Sequence, residues 1–196
     1  MNSYRSHLLL VLAGFLLCHH APAECAAQAY ITGNGLAEFT SSVPLYTFTG
    51  TSEKLTGRID LSDSTVDFYL DLETLETGIG KRDKDMRITL ETEQYPFAEF
   101  YGKFVTPFDA NSEVPQSVMV EGAFTIHGAK KQITVDGTLQ NVEGGIRLDA
   151  EWTLNLTDYD IKPPRLLVIK VDEVQKIRIS ALLQPEEDDA ANPREE

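Results

Sequence analysis

Thiol and imidazole side chains are scarce in this sequence of 196 residues, which has two cysteines and four histidines. They gather at one end: Cys18, Cys25, His7, His19 and His20 leave His127 alone in the body of the chain. The CxxC and HExxH spacings are absent, which excludes thiolate and His-rich zinc centres. A Ser-His-Asp triad would have to recruit His127, yet no Gly-x-Ser-x-Gly elbow or similar nucleophile setting occurs. Positive charge is scarce too, with 17 Lys and Arg against 31 Asp and Glu and a net charge of −14. Nucleic acid is thereby excluded as a partner, because phosphate binding needs a basic face. Long apolar runs are also lacking. The run Leu8 to Cys18 is about half of the ~20 residues a membrane-spanning helix requires, and none later is longer, so no membrane span is expected.

That one run follows Arg5 and precedes small residues, the pattern of a signal peptide. Residues 1–29 are assigned to it, with cleavage after Ala23 (Ala21-Pro22-Ala23) or after Ala29 (Ala27-Gln28-Ala29). The protein is therefore expected to be exported, periplasmic or secreted. Leu17 before Cys18 and Glu24 before Cys25 argue against a lipid anchor, which needs a small residue ahead of its cysteine. Cleavage leaves at most one thiol, so no internal disulfide can form. At the other end, residues 185–196 are acidic without apolar periodicity and read as a disordered tail.

Between Tyr30 and Gln184 the pattern has period two, one set of side chains inside and the next outside. Val66, Phe68, Leu70 and Leu72 alternate with Asp67, Tyr69, Asp71 and Glu73. Similar rows are Leu55 to Leu61, Ala98 to Phe104, Val118 to Ile126, Ile133 to Leu139, Ile146 to Leu156 and Ile177 to Leu183. Glu143-Gly144-Gly145 marks a hairpin. A first strand within residues 35–48 and a pairing stretch at 166–171 bring the count to about eight. One short helix is expected around Arg82 to Leu90, with Met86 and Leu90 one turn apart. The fold class is all-β, a closed antiparallel barrel or a sandwich.

The inward rows mix large residues (Phe68, Phe100, Phe104, Phe124, Trp152) with small ones (Gly102, Gly122, Gly137, Ala98, Ala150, Ala181). Small inward residues can leave a lumen; they can equally mark bulges or sharp bends. His127 falls on the outward face at a strand end, just before Gly128. Carboxylates such as Asp67, Asp71 and Glu73 lie on a polar face and form no constellation. Asn155-Leu156-Thr157 matches the glycosylation sequon, as three residues often do by chance.

Several motifs in order then become informative. Thr77-Gly78, Lys81-Arg82-Asp83, Met86-Arg87, Tyr95-Pro96 and Glu99-Phe100 resemble the central signature of the YceI-like family. Gly122 with Phe124-Thr125-Ile126-His127-Gly128-Ala129-Lys130-Lys131, and Asp172-Glu173-Val174, are similar to its later segments. The resemblance spans Tyr30 to Gln184 and implies an extended lipocalin-like barrel of eight antiparallel strands, exported to the periplasm, with a tunnel for long isoprenoid chains. One departure stands out: where the family commonly has Asn-Arg followed by Asp-Phe-Gly-Ile, this chain reads Asn155-Leu156 and then Asp158-Tyr159-Asp160-Ile161.

The leading reading is an exported binding protein, not an enzyme, that holds an isoprenoid-like or other long apolar ligand. Phe68, Leu70, Phe100, Phe104, Val120, Phe124, Leu148 and Trp152 are its candidate wall. Arg82 either offers its donors to a polar head group such as a quinone oxygen or, with Asp83, pins the loop entering the helix. No cofactor is expected beyond an isoprenoid or isoprenoid quinone ligand. The alternative is a structural or adaptor β domain with a solid core acting on a protein partner. The export reading predicts that N-terminal sequencing of the exported protein begins at Glu24 or Tyr30; recovery of Met1 would overturn it.

Overall fold

Alternating side chains give each strand one apolar face, and eight such faces are buried together when the sheet closes on itself. The computed structural model of the protein describes residues 28–43, 46–163, 165–166 and 169–187. Almost all of the assigned signal peptide, and residues 188–196, lie outside the described residues. The chain runs β1 (Ala29–Val43), β2 (Tyr46–Asp60), β3 (Thr65–Asp71), α1 (Gly80–Leu90), β4 (Phe97–Phe104), β5 (Gln116–Ile126), β6 (Ala129–Val142) and β7 (Gly145–Asn155). It ends with β8 (Arg165–Leu166), β9 (Ile169–Lys170) and β10 (Val174–Pro185). The barrel closes in the order β1-β10-β7-β6-β5-β4-β3-β2, so it presents no free sheet edge. One-turn 3-10 helices at Leu72–Thr74 and Leu156–Tyr159 follow β3 and β7.

The architecture expected from the alternation is thus present, with three corrections. The first strand, expected within residues 35–48, starts earlier, at Ala29, and ends at Val43, which pairs with Tyr46 at the start of the second arm of a long hairpin. The pattern hid this because Ser41 and Ser52 stand at buried positions on those arms, where apolar residues would have kept the alternation legible. In the stretch 166–171 the described strands β8 and β9 pair with each other and not with a barrel strand. The acidic tail starts later than residue 185. β10 runs through Pro185, the Glu186 N–H donates to the Ala29 carbonyl at 2.9 Å, and the Glu186 carboxylate meets Arg58 at 2.8 Å. That ion pair is exposed and adds little to stability. Ala29 itself pairs with Asp60, so cleavage after Ala23 would leave β1 whole whereas cleavage after Ala29 would remove its first residue.

Four of the inward glycines, Gly50, Gly57, Gly102 and Gly122, make room for rings, whereas Gly35 stands where the β1–β2 register shifts. A Cβ on Gly57 would fall inside the Phe68 ring, and one on Gly50 inside the Phe39 ring. These are directly opposed cross-strand pairs. Gly102 and Gly122 also face each other, with the tip of the Phe100 ring 3.0 and 2.8 Å from the Cβ each would carry. At Gly122 the added carbon would also meet the backbone of Gly102 at 2.6 Å, which no rotamer change relieves. We therefore expect Gly122→Ala to lower stability by about 1–3 kcal/mol, toward the upper end for a backbone clash. Gly33→Ala, where a Cβ meets nothing within 4 Å, should change it by less than about 0.5 kcal/mol. Urea unfolding midpoints of the two variants check this.

Candidate functional site

The barrel interior is packed at one end and hollow at the other. At the end formed by the β6–β7 turn, Ile59, Leu139, Ile146 and Leu183 are at most 1% exposed and pack with Tyr30, Val66 and Val118. Toward the opposite end, beneath α1 and the β1–β2 hairpin, the wall encloses a cavity of about 620 Å³. Its lining is almost wholly aliphatic and aromatic.

Of the residues proposed from the alternation, Phe68, Leu70, Phe100, Val120, Phe124 and Trp152 stand in this wall, and Arg82 stands at its rim. Phe104 and Leu148 do not. They point inward as expected but belong to the packed end, Leu148 at 7% exposure. Period two tells which face a side chain takes; it carries no information about depth along the barrel axis. Phe39, Phe48 and Ala37 were missed because they sit on the hairpin whose pattern was illegible, and Val135 and Ile177 were in rows already identified as inward. Leu156, in place of the family's arginine, is buried in the wall, and Asp160, in place of the glycine, keeps a left-handed backbone at φ 58°.

The rim helix is held mainly by polar contacts, for of its residues only Asp83 and Leu90 are buried. Its leucine and Met86 turn to the cavity, while Ile88 is 65% exposed. The Asp83 carboxylate accepts the Thr77 N–H at 2.8 Å and the Thr77 hydroxyl. Arg82 donates through Nε to the Thr77 hydroxyl at 2.8 Å and through Nη2 to the Thr77 carbonyl at 2.9 Å. Its guanidinium carbon lies 4.3 Å from the centre of the Phe48 ring. Two donors and the flat face of Arg82 are therefore engaged with the protein, the arrangement of a loop pin. The Thr77 hydroxyl holds the Asp83 carboxyl below its usual range, aided by the Thr77 N–H and the Arg87 and Arg82 charges and opposed by burial.

His127 takes the strand-end turn expected of it, at φ 54° beside Gly128. Its ring, however, is enclosed rather than outward, with 11% of the side chain exposed. Nδ1 donates to the Tyr159 carbonyl at 3.2 Å, the Tyr95 ring lies 5.1 Å away, and Nε2 is 3.7 Å from the Glu91 carboxylate. The imidazole thus ties three loops together and is not among the cavity-lining residues. Among the described residues no three His, Cys, Asp or Glu side chains converge as a metal site, and no helix is long and apolar enough to cross a membrane.

Comparison with known proteins agrees with this geometry. Residues 34–182 match the YceI-like domain. Among solved structures, a polyisoprenoid binding domain from Saccharophagus degradans implicated in plant cell wall breakdown superposes with a TM-score of 0.70 at 18% identity, over 82% of this chain and 99% of its own. BcnA of Burkholderia cenocepacia gives 0.63 at 14% identity over 76% and 94%. The YCEI protein of Campylobacter jejuni gives 0.52 at 13% identity over 96% and 100%. No curated protein sequence matches the chain. At these identities the superpositions establish the fold.

The Thr77–Asp83 pin makes a pH prediction. A carboxyl whose folded-state pKa is depressed adds stability above its unfolded value of about 3.9, and that stability is lost as pH falls through the folded value. The excess stability of the protein over Asp83→Asn should be constant between about pH 8 and 5 and shrink below about pH 4. Urea midpoints of both proteins at neutral and acid pH measure it; a gap that persists at acid pH would show that the charge is immaterial.

Proposed function

The chain belongs to the YceI-like family, and from that membership and its hollow barrel end we propose that it is an exported, non-enzymatic carrier holding a long apolar chain, isoprenoid-like in character, in the lumen. The observation that carries this reading is the 620 Å³ cavity with its apolar wall. That size falls within the roughly 300–1,000 Å³ of cavities that enclose small molecules. A wall whose lining is almost wholly hydrocarbon must draw affinity from buried hydrocarbon. Each methylene contributes about 0.8 kcal/mol, so about ten are needed for roughly 8 kcal/mol before the cost of association is met. Short solutes cannot reach that, and a long chain can. The solved polyisoprenoid binding domain with the same fold supports an isoprenoid chain. No chemical step is required, because the lone imidazole outside the N-terminal segment is occupied as a loop tie. Export to the periplasm or outside the cell rests on the sequence of residues 1–29. A solid-core adaptor is the second reading, favoured only by the packed end.

The two ends of the barrel allow a test. Ala98 lines the cavity, whereas Ala150 is buried outside it, where a Cβ on Gly137 would already stand 3.2 Å from the Ala150 methyl. In delipidated protein Ala150→Phe should cost about 1–3 kcal/mol through overpacking. Ala98→Phe should leave stability within about 0.5 kcal/mol while sharply reducing the apolar material recovered by mass spectrometry of organic extracts. Delipidation is needed because bound ligand itself stabilises the folded state. If Ala98→Phe is as destabilising as Ala150→Phe and the wild type yields and takes up no apolar chain, the carrier reading fails and the adaptor reading replaces it.

A further inference from the structure

The enclosed imidazole of His127 uses only half of its hydrogen-bonding capacity. Nδ1 lies 3.2 Å from the Tyr159 carbonyl oxygen. A carbonyl only accepts, so in the neutral ring the proton must sit on Nδ1 and Nε2 is left as a bare acceptor. Nε2 is sealed from solvent and has no hydrogen bond. The group it faces is the Glu91 carboxylate at 3.7 Å, which is a second acceptor. Orphaned buried polar atoms of this kind are rare in native proteins. The Tyr95 ring covers the same turn, 5.1 Å from the imidazole and so close to Gly128 that a Cβ there would meet it at 2.6 Å.

Glu91 is where the rim helix ends. It caps α1 in the left-handed region at φ 50°, its N–H donating to the Arg87 and Ile88 carbonyls, and its own carbonyl accepts the Gln94 and Tyr95 N–H groups at 2.9 and 2.8 Å. A carboxylate at a helix C-terminus is opposed by the helix dipole, and a cation there is favoured. The other charged or titratable groups on the elements around the ring are engaged elsewhere or turned to solvent. Arg87 donates to the Glu73 carbonyl, and the Tyr95 hydroxyl accepts from the Gln94 amide at 2.7 Å. Glu93, Lys130, Lys131, Asp158 and Asp160 are exposed, and Tyr159 is buried. Among the described residues only Glu91 comes within ion-pair distance of His127.

We propose that His127 and Glu91 form a proton-operated latch that ties the C-terminal end of the rim helix to the barrel wall at the β5–β6 turn. A proton on Nε2 turns two facing acceptors into a charge-assisted hydrogen bond. Imidazole is the side chain that ordinarily changes charge between pH 5 and 8, so the tie is made on the acid side of that range and lost as pH rises. Nδ1 keeps the Tyr159 carbonyl in both states, and the ring needs no rotation. The Glu91 side chain is 54% exposed, so a rotamer adjustment closes the gap, and solvent screening keeps the gain modest. The tie matters because the helix has little else to hold it: only Asp83 and Leu90 are buried, while Met86 and Leu90 face the cavity. The latch does not depend on what the lumen holds. Its consequence, slower passage through the mouth at acid pH, rests on the carrier reading.

Amide hydrogen exchange of the delipidated full-length protein tests this. Protection factors, which divide out the pH dependence of the exchange chemistry itself, should be about 3- to 10-fold higher for the last-turn amides of α1 at about pH 5.5 than at about pH 8. The Asp83 carboxyl, held below its usual range, stays ionised across this window. Glu91→Ala should abolish the difference. In Glu91→Gln the side-chain amide can donate to the neutral Nε2, so protection should persist at the higher pH. The ring nitrogen signals of His127, assigned by their loss in His127→Gln, should report an Nδ1–H tautomer at the higher pH and an imidazolium at the lower. Release of the apolar dye N-phenyl-1-naphthylamine from the wild type should slow by a similar factor at the lower pH, and in Glu91→Ala should not. A ring still neutral at the lower pH, or a protection difference that survives in Glu91→Ala, overturns the latch whether or not the dye binds. Amides that respond as expected in a protein that takes up no dye establish the latch and overturn the carrier reading with its effect on passage.

Discussion

Rings laid over bare backbone are the contact on which the rest of this barrel depends. Phe39, Phe68 and Phe100 each occupy space that a neighbouring glycine leaves free, at Gly50, Gly57 and the Gly102–Gly122 pair. All three rings line the cavity. Because each ring lies against its own wall, large aromatic area is removed from water without filling the middle of the lumen. Side chains of that size pointing at the axis would occlude an eight-stranded barrel, which is only just wide enough to hold a ligand. The hollow end thus follows from where these three rings find a glycine to lie over.

The mouth is built on different physics. The rim helix buries little hydrocarbon and is secured by Thr77, which serves Arg82 and Asp83 at once, and by Arg87 donating to the Glu73 carbonyl at 3.0 Å. Elements with few buried apolar contacts open locally at lower cost than the barrel strands do. On the carrier reading proposed above, such an entrance beside a rigid wall is what a water-insoluble chain requires. The enclosed His127 serves the wall side of this arrangement, joining the β5–β6 turn to the 3-10 helix after β7 through the Tyr159 carbonyl.

Leu156 changes the character of the interior. With leucine in the wall where the family pattern has arginine, the described lining holds no cation below the rim helix. The lining is therefore hydrocarbon almost throughout.

The alternation in rows such as Val66–Leu72 and Ile146–Leu156 was enough to identify most of the strands, their inward faces and an all-β fold, barrel or sandwich, since burial on one face of a strand writes itself into every second residue; the closed barrel was implied by the family resemblance. The ordered motifs from Thr77 to Val174 were enough to identify the family. The hairpin of β1 and β2 was illegible because its buried positions hold Ser41, Gly50 and Ser52. Depth was illegible as well: nothing in the sequence separates Phe104 and Leu148, which seal one end, from Phe100 and Trp152, which line the other. Nor could the sequence tell whether Arg82 reaches for a ligand or for Thr77, or that His127 is enclosed among loops. Those outcomes depend on strand register and ring placement across the sheet, contacts between residues far apart in the chain, and only the tertiary structure decides them.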